Sequence, residues 1–167
     1  KEKEVLGFYV SSHPLASVQD TLRYFSSHHI LNLADLEDGT EVVVGGMVNQ
    51  ASHRFYKENK KMFRFTFEDL SLSLDLVYFP PDNDRYGHLL TDDNIVFLVG
   101  RASKDRVGDP TIRVSKIIPL QDAEKDLISS VALHLQKDFL EEAPLRQLKK
   151  TLNQYKGKTP VYLYTHQ

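Results

Sequence analysis

Five basic side chains crowd into residues 53–64, HRFYKENKKMFR: Arg54, Lys57, Lys60, Lys61 and Arg64, against Glu58 alone. Phe55 and Tyr56 sit between them. Cations spaced along a backbone neutralise phosphates, and each neutralised phosphate makes binding more sensitive to salt. Exposed rings stack on bases whatever the base, at roughly 1–3 kcal/mol each. This mixture therefore points to single-stranded nucleic acid. The plain alternative is a solvated segment whose rings cover the end of a core, and composition alone divides the two readings evenly. Two further groups belong with these residues. Phe79 follows a strand-like run and precedes Pro80-Pro81. Lys104 and Arg106 lie in a turn beside Asp105 and Asp109, where the charges cancel and only position argues for a role. Arg64 has a planar fork that suits a phosphate or the flat face of a base. A cross-strand pair with Asp75 is its structural alternative.

Other chemistries find little support. Seven histidines are present, but no spacing joins three of them into a metal site, and the absence of cysteine removes thiolate zinc chemistry. Ser11, Ser12 and His13 invite a nucleophile–base reading, yet nothing supplies an oxyanion hole or a third partner, and a helix cap by Ser12 or His13 explains them better. Asp82, Asp84, Asp92 and Asp93 lack the glycine and closing glutamate of a calcium loop. No catalytic residue, metal or cofactor is expected.

These residues need a scaffold, and residues 57–80 supply its centre. Phe63, Phe65 and Phe67 alternate with Arg64, Thr66 and Glu68. After a turn at Asp69-Leu70-Ser71, Leu72, Leu74, Leu76 and Tyr78 alternate with Ser73, Asp75, Val77 and Phe79. Two adjacent period-two runs predict an antiparallel hairpin with one face buried. A strand is expected before it, over residues 41–52, with Gly45-Gly46 marking a bulge or bend. Residues 53–61 are expected to be the connecting loop. After the hairpin come a loop and helix at 80–90, a strand at 93–104 and a last strand at 111–118. Five strands with a helix between the third and fourth is the layout of the oligonucleotide-binding (OB) fold, which binds its ligands on one face and the neighbouring loops.

Helical pieces flank this barrel at the start. Val5, Leu6, Phe8 and Tyr9 give one piece an apolar side; Pro14 then opens a second, with Leu15, Val18, Leu22 and Phe25 as its stripe. After a charged helical linker at 119–127, the tail reads as strand (129–136), helix (ending near Tyr155) and strand (160–166). The tail either lies against the barrel or is completed by further strands. The expected organisation is an N-terminal helical adaptor (1–39), a five-stranded OB-fold barrel (40–120) and a linker with a strand–helix–strand appendage (121–167). The fold class is thus mainly β with α. With 167 residues and 41% hydrophobic composition the chain can bury a real core, and its net charge of −2 confines any nucleic-acid binding to a local patch. No apolar run is long enough to span a membrane. The chain begins at Lys1 without a signal-peptide pattern, as a piece of a longer protein would.

Beyond these patterns, the sequence resembles the C-terminal region of the bacterial DNA polymerase III alpha subunit over nearly its whole length. The resemblance starts in Lys3-Glu4-Val5-Leu6-Gly7-Phe8-Tyr9 and Ser11-Ser12-His13-Pro14-Leu15, its most specific part. It continues through Gly46-Met47-Val48, Glu68-Asp69-Leu70, Phe79-Pro80, residues 86–94, Gly100-Arg101 and Ile118-Pro119-Leu120 to Pro160-Val161-Tyr162-Leu163-Tyr164. Ser12 replaces a usual glycine, Leu72 a frequent turn glycine, and Arg64 a frequent apolar or aromatic residue. The resemblance implies a bacterial, cytoplasmic, non-catalytic module of a DNA-directed DNA polymerase. It would bind single-stranded template weakly, touch other domains of the polymerase, and contact a clamp-loader subunit through residues 129–167. Two other readings stay open: a purely structural or protein-docking module, and an RNA-binding OB appendage of the aminoacyl-tRNA synthetase type.

Overall fold

In the computed structural model, the residues described are 14–56, 60–81, 84–136 and 141–165. The first expected helical piece, the Ser11–His13 cap and Lys57 lie outside them. The chain divides into two compact units between Ala123 and Glu124.

The first unit is a single antiparallel sheet in the order β3-β2-β1-β4-β5. Its strands are β1 (Glu41–Tyr56), β2 (Lys60–Glu68), β3 (Ser73–Tyr78), β4 (Ile95–Lys104) and β5 (Pro110–Pro119). β3 also approaches β5, which curls the sheet into a barrel. The long β1 makes this possible. It pairs with β4 up to Met47 and with β2 from Met47 onward, so it passes from one half of the barrel to the other at that residue. The core takes the expected inward sets of β2 and β3, Phe65, Phe67, Leu76 and Tyr78, with Val42, Val44 and Val48 from β1 and Ile112 and Ile117 from β5. On β4 it takes Val96 and Leu98 rather than the alternation Ile95, Phe97 and Val99 that the sequence suggests, and Phe97 turns to the helix side, against Phe25. Each such buried side chain contributes roughly 1.5–3 kcal/mol.

Pro14–Val18 forms a 3-10 turn that leads into helix α1 (Gln19–Phe25). Leu15 and Leu22 are buried, and Phe25 meets Phe97 edge to face at 6.0 Å. Gly45 and Gly46 lie in unbroken register with β4, so the pair is not the expected bulge. Both are close approaches instead. A Cβ at Gly45 would collide with Leu22 and Phe97, and one at Gly46 with the Glu68 carbonyl and the Phe67 ring. The bulge falls later, between Asn49 and Ser52, where Gln50 takes a positive φ of 51°.

Three other expectations change. Residues 53–56 and 60–61, expected in the connecting loop, are strand. β1 and β2 stay paired through His53–Phe63, Arg54–Met62, Phe55–Lys61 and Tyr56–Lys60, forming a ribbon beyond the barrel. The charge that made the stretch resemble a loop is what a ribbon wet on both faces carries. The turn after β2 closes at Leu72, not Ser71: the Asp69 N–H donates to the Leu72 carbonyl at 3.0 Å, and the Leu72 N–H donates to Asp69 Oδ1 at 2.9 Å. Leu72 is therefore 49% exposed and outside β3. Among the described residues of 80–90, the helical part is a single 3-10 turn, Gly87–Leu89. Asp84 organises it by accepting the N–H groups of Tyr86 and Gly87, both at 3.0 Å.

In the second unit, β6 (Val131–Leu135) and β7 (Val161–Thr165) pair in parallel across helix α3 (Glu142–Gln154). A parallel pair requires such a crossover. The boundary helix α2 spans Ala123–Leu127. Every residue of β7 is exposed.

Candidate nucleic-acid interface

The bulge in β1 builds the interface. The Ala51 N–H donates to Asp92 Oδ1 at 2.6 Å, which anchors the irregular turn of chain to the β3–β4 connection. Beyond it, strand alternation sorts the ribbon into two faces. Cross-strand partners share a face. Ser52, Arg54 and Tyr56 therefore lie with Lys60, Met62 and Arg64, and these continue into Thr66, Asp75 and Val77 across β3. His53 and Phe55 lie with Lys61 and Phe63 on the other face, in line with the core residues Phe65 and Leu76.

The first face forms one wall of a groove of about 1480 Å³. Arg54, Arg64, Thr66, Asp75 and Phe79 stand on this wall. The β4–β5 turn and the start of β5 make the other wall, with Lys104, Asp105, Arg106, Asp109 and Arg113. Five basic side chains thus face three carboxylates, in a chain whose net charge is −2. Among the described residues none of the five has an ion-pair partner. Asp105 is occupied by its own turn. Its Oδ1 accepts the N–H groups of Val107 and Asp109, both at 2.9 Å, so its hydrogen-bonding capacity is spent on the turn while the turn's formal charges still balance, as read from the sequence.

Arg64 does not pair with Asp75. It lies opposite Val77, and Asp75 lies opposite Thr66, whose hydroxyl donates to Asp75 Oδ1 at 2.7 Å. Phe79 is 56% exposed, and its ring meets that of Tyr56 edge to face at 5.5 Å. This joins the end of the ribbon to the end of β3. Phe55 and Lys61 are held elsewhere. On the opposite face the Lys61 ammonium lies 5.9 Å from the centre of the Phe55 ring, and Phe55, His53, Phe63 and Tyr78 form a row of ring contacts. Lys60 stands opposite Tyr56 at the ribbon end.

Two carboxylates that the sequence left as turn residues hold these walls in place. Asp69 is 5% exposed. Its Oδ2 accepts the Ile30 N–H at 2.8 Å, and its Oδ1 accepts Ser71 N–H, Ser71 Oγ–H and Leu72 N–H between 2.6 and 2.9 Å. His29 Nδ1 lies 3.6 Å from Oδ2. One side chain thus ties the β2–β3 turn to the 3-10 turn at Ile30–Asp35. Asp84 does the same after β3, accepting the Tyr78 hydroxyl at 3.2 Å. Burial first, and then the neighbouring Asp84 charge, push the Tyr78 phenol well above its ordinary range, so it stays protonated and donating. Arg113 is a lining residue that the sequence did not single out. Its outward place between Ile112 and Val114 was the available signal.

Comparison with known proteins follows the same division. Residues 42–120 match the tRNA_anti-codon family, described as an OB-fold nucleic acid binding domain. The DNA polymerase III subunit alpha of Pasteurella multocida is 28% identical over 98% of this chain, and that of Pseudomonas aeruginosa is 29% identical over 97%. The chain spans only 14% of the length of either. Among solved structures, the SSB domain of a Synechococcus protein aligns with 50% of this chain and 98% of its own, at 11% identity and a TM-score of 0.42. The strand order and the family match agree: residues 42–120 are an OB-fold domain, in a chain that resembles a segment of the bacterial DNA polymerase III alpha subunits.

Proposed function

We propose that the barrel binds single-stranded DNA along the groove between the β1–β2–β3 face and the β4–β5 turn. The observation that carries this is the meeting of Arg54, Arg64, Lys104, Arg106 and Arg113 on one concave surface, beside an exposed ring at Phe79. Cations on two walls can hold a flexible backbone, and a ring at the ribbon end can take an unstacked base. The names of the relatives support DNA over RNA and a place within a replicative polymerase. The chain would contribute binding, with nucleotidyl transfer carried by the rest of a longer cytoplasmic enzyme. The proposed division of labour is an adaptor over 1–39, the barrel over 40–120 and a docking tail over 121–167. Binding by the isolated chain would be weak, because the net charge is slightly negative; tethering near template raises the effective concentration.

The test is fluorescence anisotropy of a labelled single strand and of duplex with the same sequence. Wild type should prefer the single strand. An Arg64→Ala/Arg106→Ala variant with an unchanged circular dichroism spectrum should bind the single strand markedly more weakly at low salt. Equal binding of single strand and duplex, or full binding by the variant, refutes the reading.

A second reading concerns the tail. Tyr162, Leu163 and Tyr164 are each about half exposed on β7, a surface suited to a protein partner. We infer that residues 129–167 dock a clamp-loader subunit. Capture of that subunit should survive the groove substitutions and fail when the chain stops before residue 129. Capture by the shortened chain contradicts it.

A further inference from the structure

We propose that Asp75 selects among bases, favouring those whose edges offer N–H donors. This rests on the reading that the groove holds single-stranded DNA. A carboxylate in the middle of a surface for a polyanion needs a reason. Asp75 is exposed on the groove wall, and among the described residues no cation pairs with it. Arg64, the natural candidate, is displaced along β2 and faces Val77. Asp75 differs in this from Asp105, whose oxygen is taken by backbone N–H groups of its own turn.

Repulsion keeps phosphates off Asp75 itself and leaves them to Arg54 and Arg64 farther along the same wall and to Lys104, Arg106 and Arg113 across the groove. A base, not a phosphate, then meets Asp75. The Thr66 hydroxyl holds Asp75 Oδ1, and among the described residues Oδ2 has no hydrogen-bond partner. An ionised carboxylate only accepts hydrogen bonds. It pairs well with the exocyclic amino group of cytosine and with the adjacent N–H groups of guanine. Thymine offers a single N–H between two carbonyl oxygens, which the carboxylate repels.

The experiment compares oligo-dC with oligo-dT of about a dozen nucleotides, within the ~4–16 that one OB fold covers. It uses the whole chain at low salt and mildly alkaline pH, where cytosine is neutral. Wild type should bind oligo-dC about fivefold or more tighter than oligo-dT, the lower end for a specific base contact. Asp75→Asn keeps an oxygen for Thr66 and adds an N–H donor, so the two affinities should converge, with oligo-dT gaining. Asp75→Ala should also erase the preference. Equal wild-type affinities overturn the proposal, as does an equal gain for both oligonucleotides in Asp75→Asn, which is the signature of simple charge repulsion. Folded wild type that binds neither oligonucleotide overturns the groove reading itself, and this inference with it.

Discussion

Replacing Arg64 and Arg106 by alanine removes one groove cation from each wall, and the consequence follows from the count of lining residues. Five basic side chains line the groove, so at most five phosphates are neutralised there. Each neutralised phosphate of a single strand contributes about −0.7 to the slope of log K against log salt, giving about −3.5 in all. Between about 50 and 200 mM salt the wild-type affinity should therefore fall roughly 100-fold. With two cations gone the slope should approach about −2.1, and the same change of salt should cost only about 20-fold. The control is Lys61→Ala. Its ammonium sits over Phe55 on the far face of the ribbon, so the slope should stay near the wild-type value. Anisotropy titrations at four or more salt concentrations give the slopes. A Lys61→Ala slope that drops as far as that of the double variant would refute the assignment of the groove face, because it would place the strand on the other side of the ribbon. A double variant with an unchanged slope would refute it too.

The supports of the groove give three further expectations. Asp69→Ala strands the buried Ile30 N–H and frees the β2–β3 turn, and should cost roughly 2–4 kcal/mol in denaturant unfolding; a loss under half a kcal/mol would deny Asp69 its anchoring role. Tyr78→Phe should cost about 1 kcal/mol at neutral pH through the bond to Asp84. Because the folded phenol holds its proton to higher pH than the unfolded one, that part of the stability is complete below about pH 10 and declines above it. The Phe variant should lack this alkaline decline, and parallel pH profiles for the two proteins would contradict the raised value. Gly46→Ala forces a methyl group against the Glu68 carbonyl and Phe67 ring and should cost about 1–3 kcal/mol, visible as a lower melting temperature; an unchanged melting temperature would mean that β1 and β2 separate easily there.

What could be read in advance depended on burial contrast. Phe63, Phe65 and Phe67, like Leu74, Leu76 and Tyr78, alternate because one face of their strands meets the core and the other meets water, so the hairpin and the OB layout were legible from side-chain type alone. The ribbon at 53–56 and 60–62 has water on both faces, and no such contrast marks it. Once it is taken for a loop, the alternation that separates Arg54 and Tyr56 from Phe55 and Lys61 cannot be applied, and all four look like one cluster. Register was hidden for a related reason. Whether Asp75 faces Arg64 or Thr66 depends on where the β2–β3 turn closes, and Asp69 decides that by accepting both Ser71 and Leu72 N–H groups. The turn closes at Leu72, Asp75 falls opposite Thr66, and Arg64 is left without a carboxylate. That placement gives the groove a cation able to meet phosphate and a carboxylate able to meet a base. Had Arg64 and Asp75 paired, each would have cancelled the other, and this wall would have had little to offer a nucleic acid beyond Arg54 and the ring of Phe79.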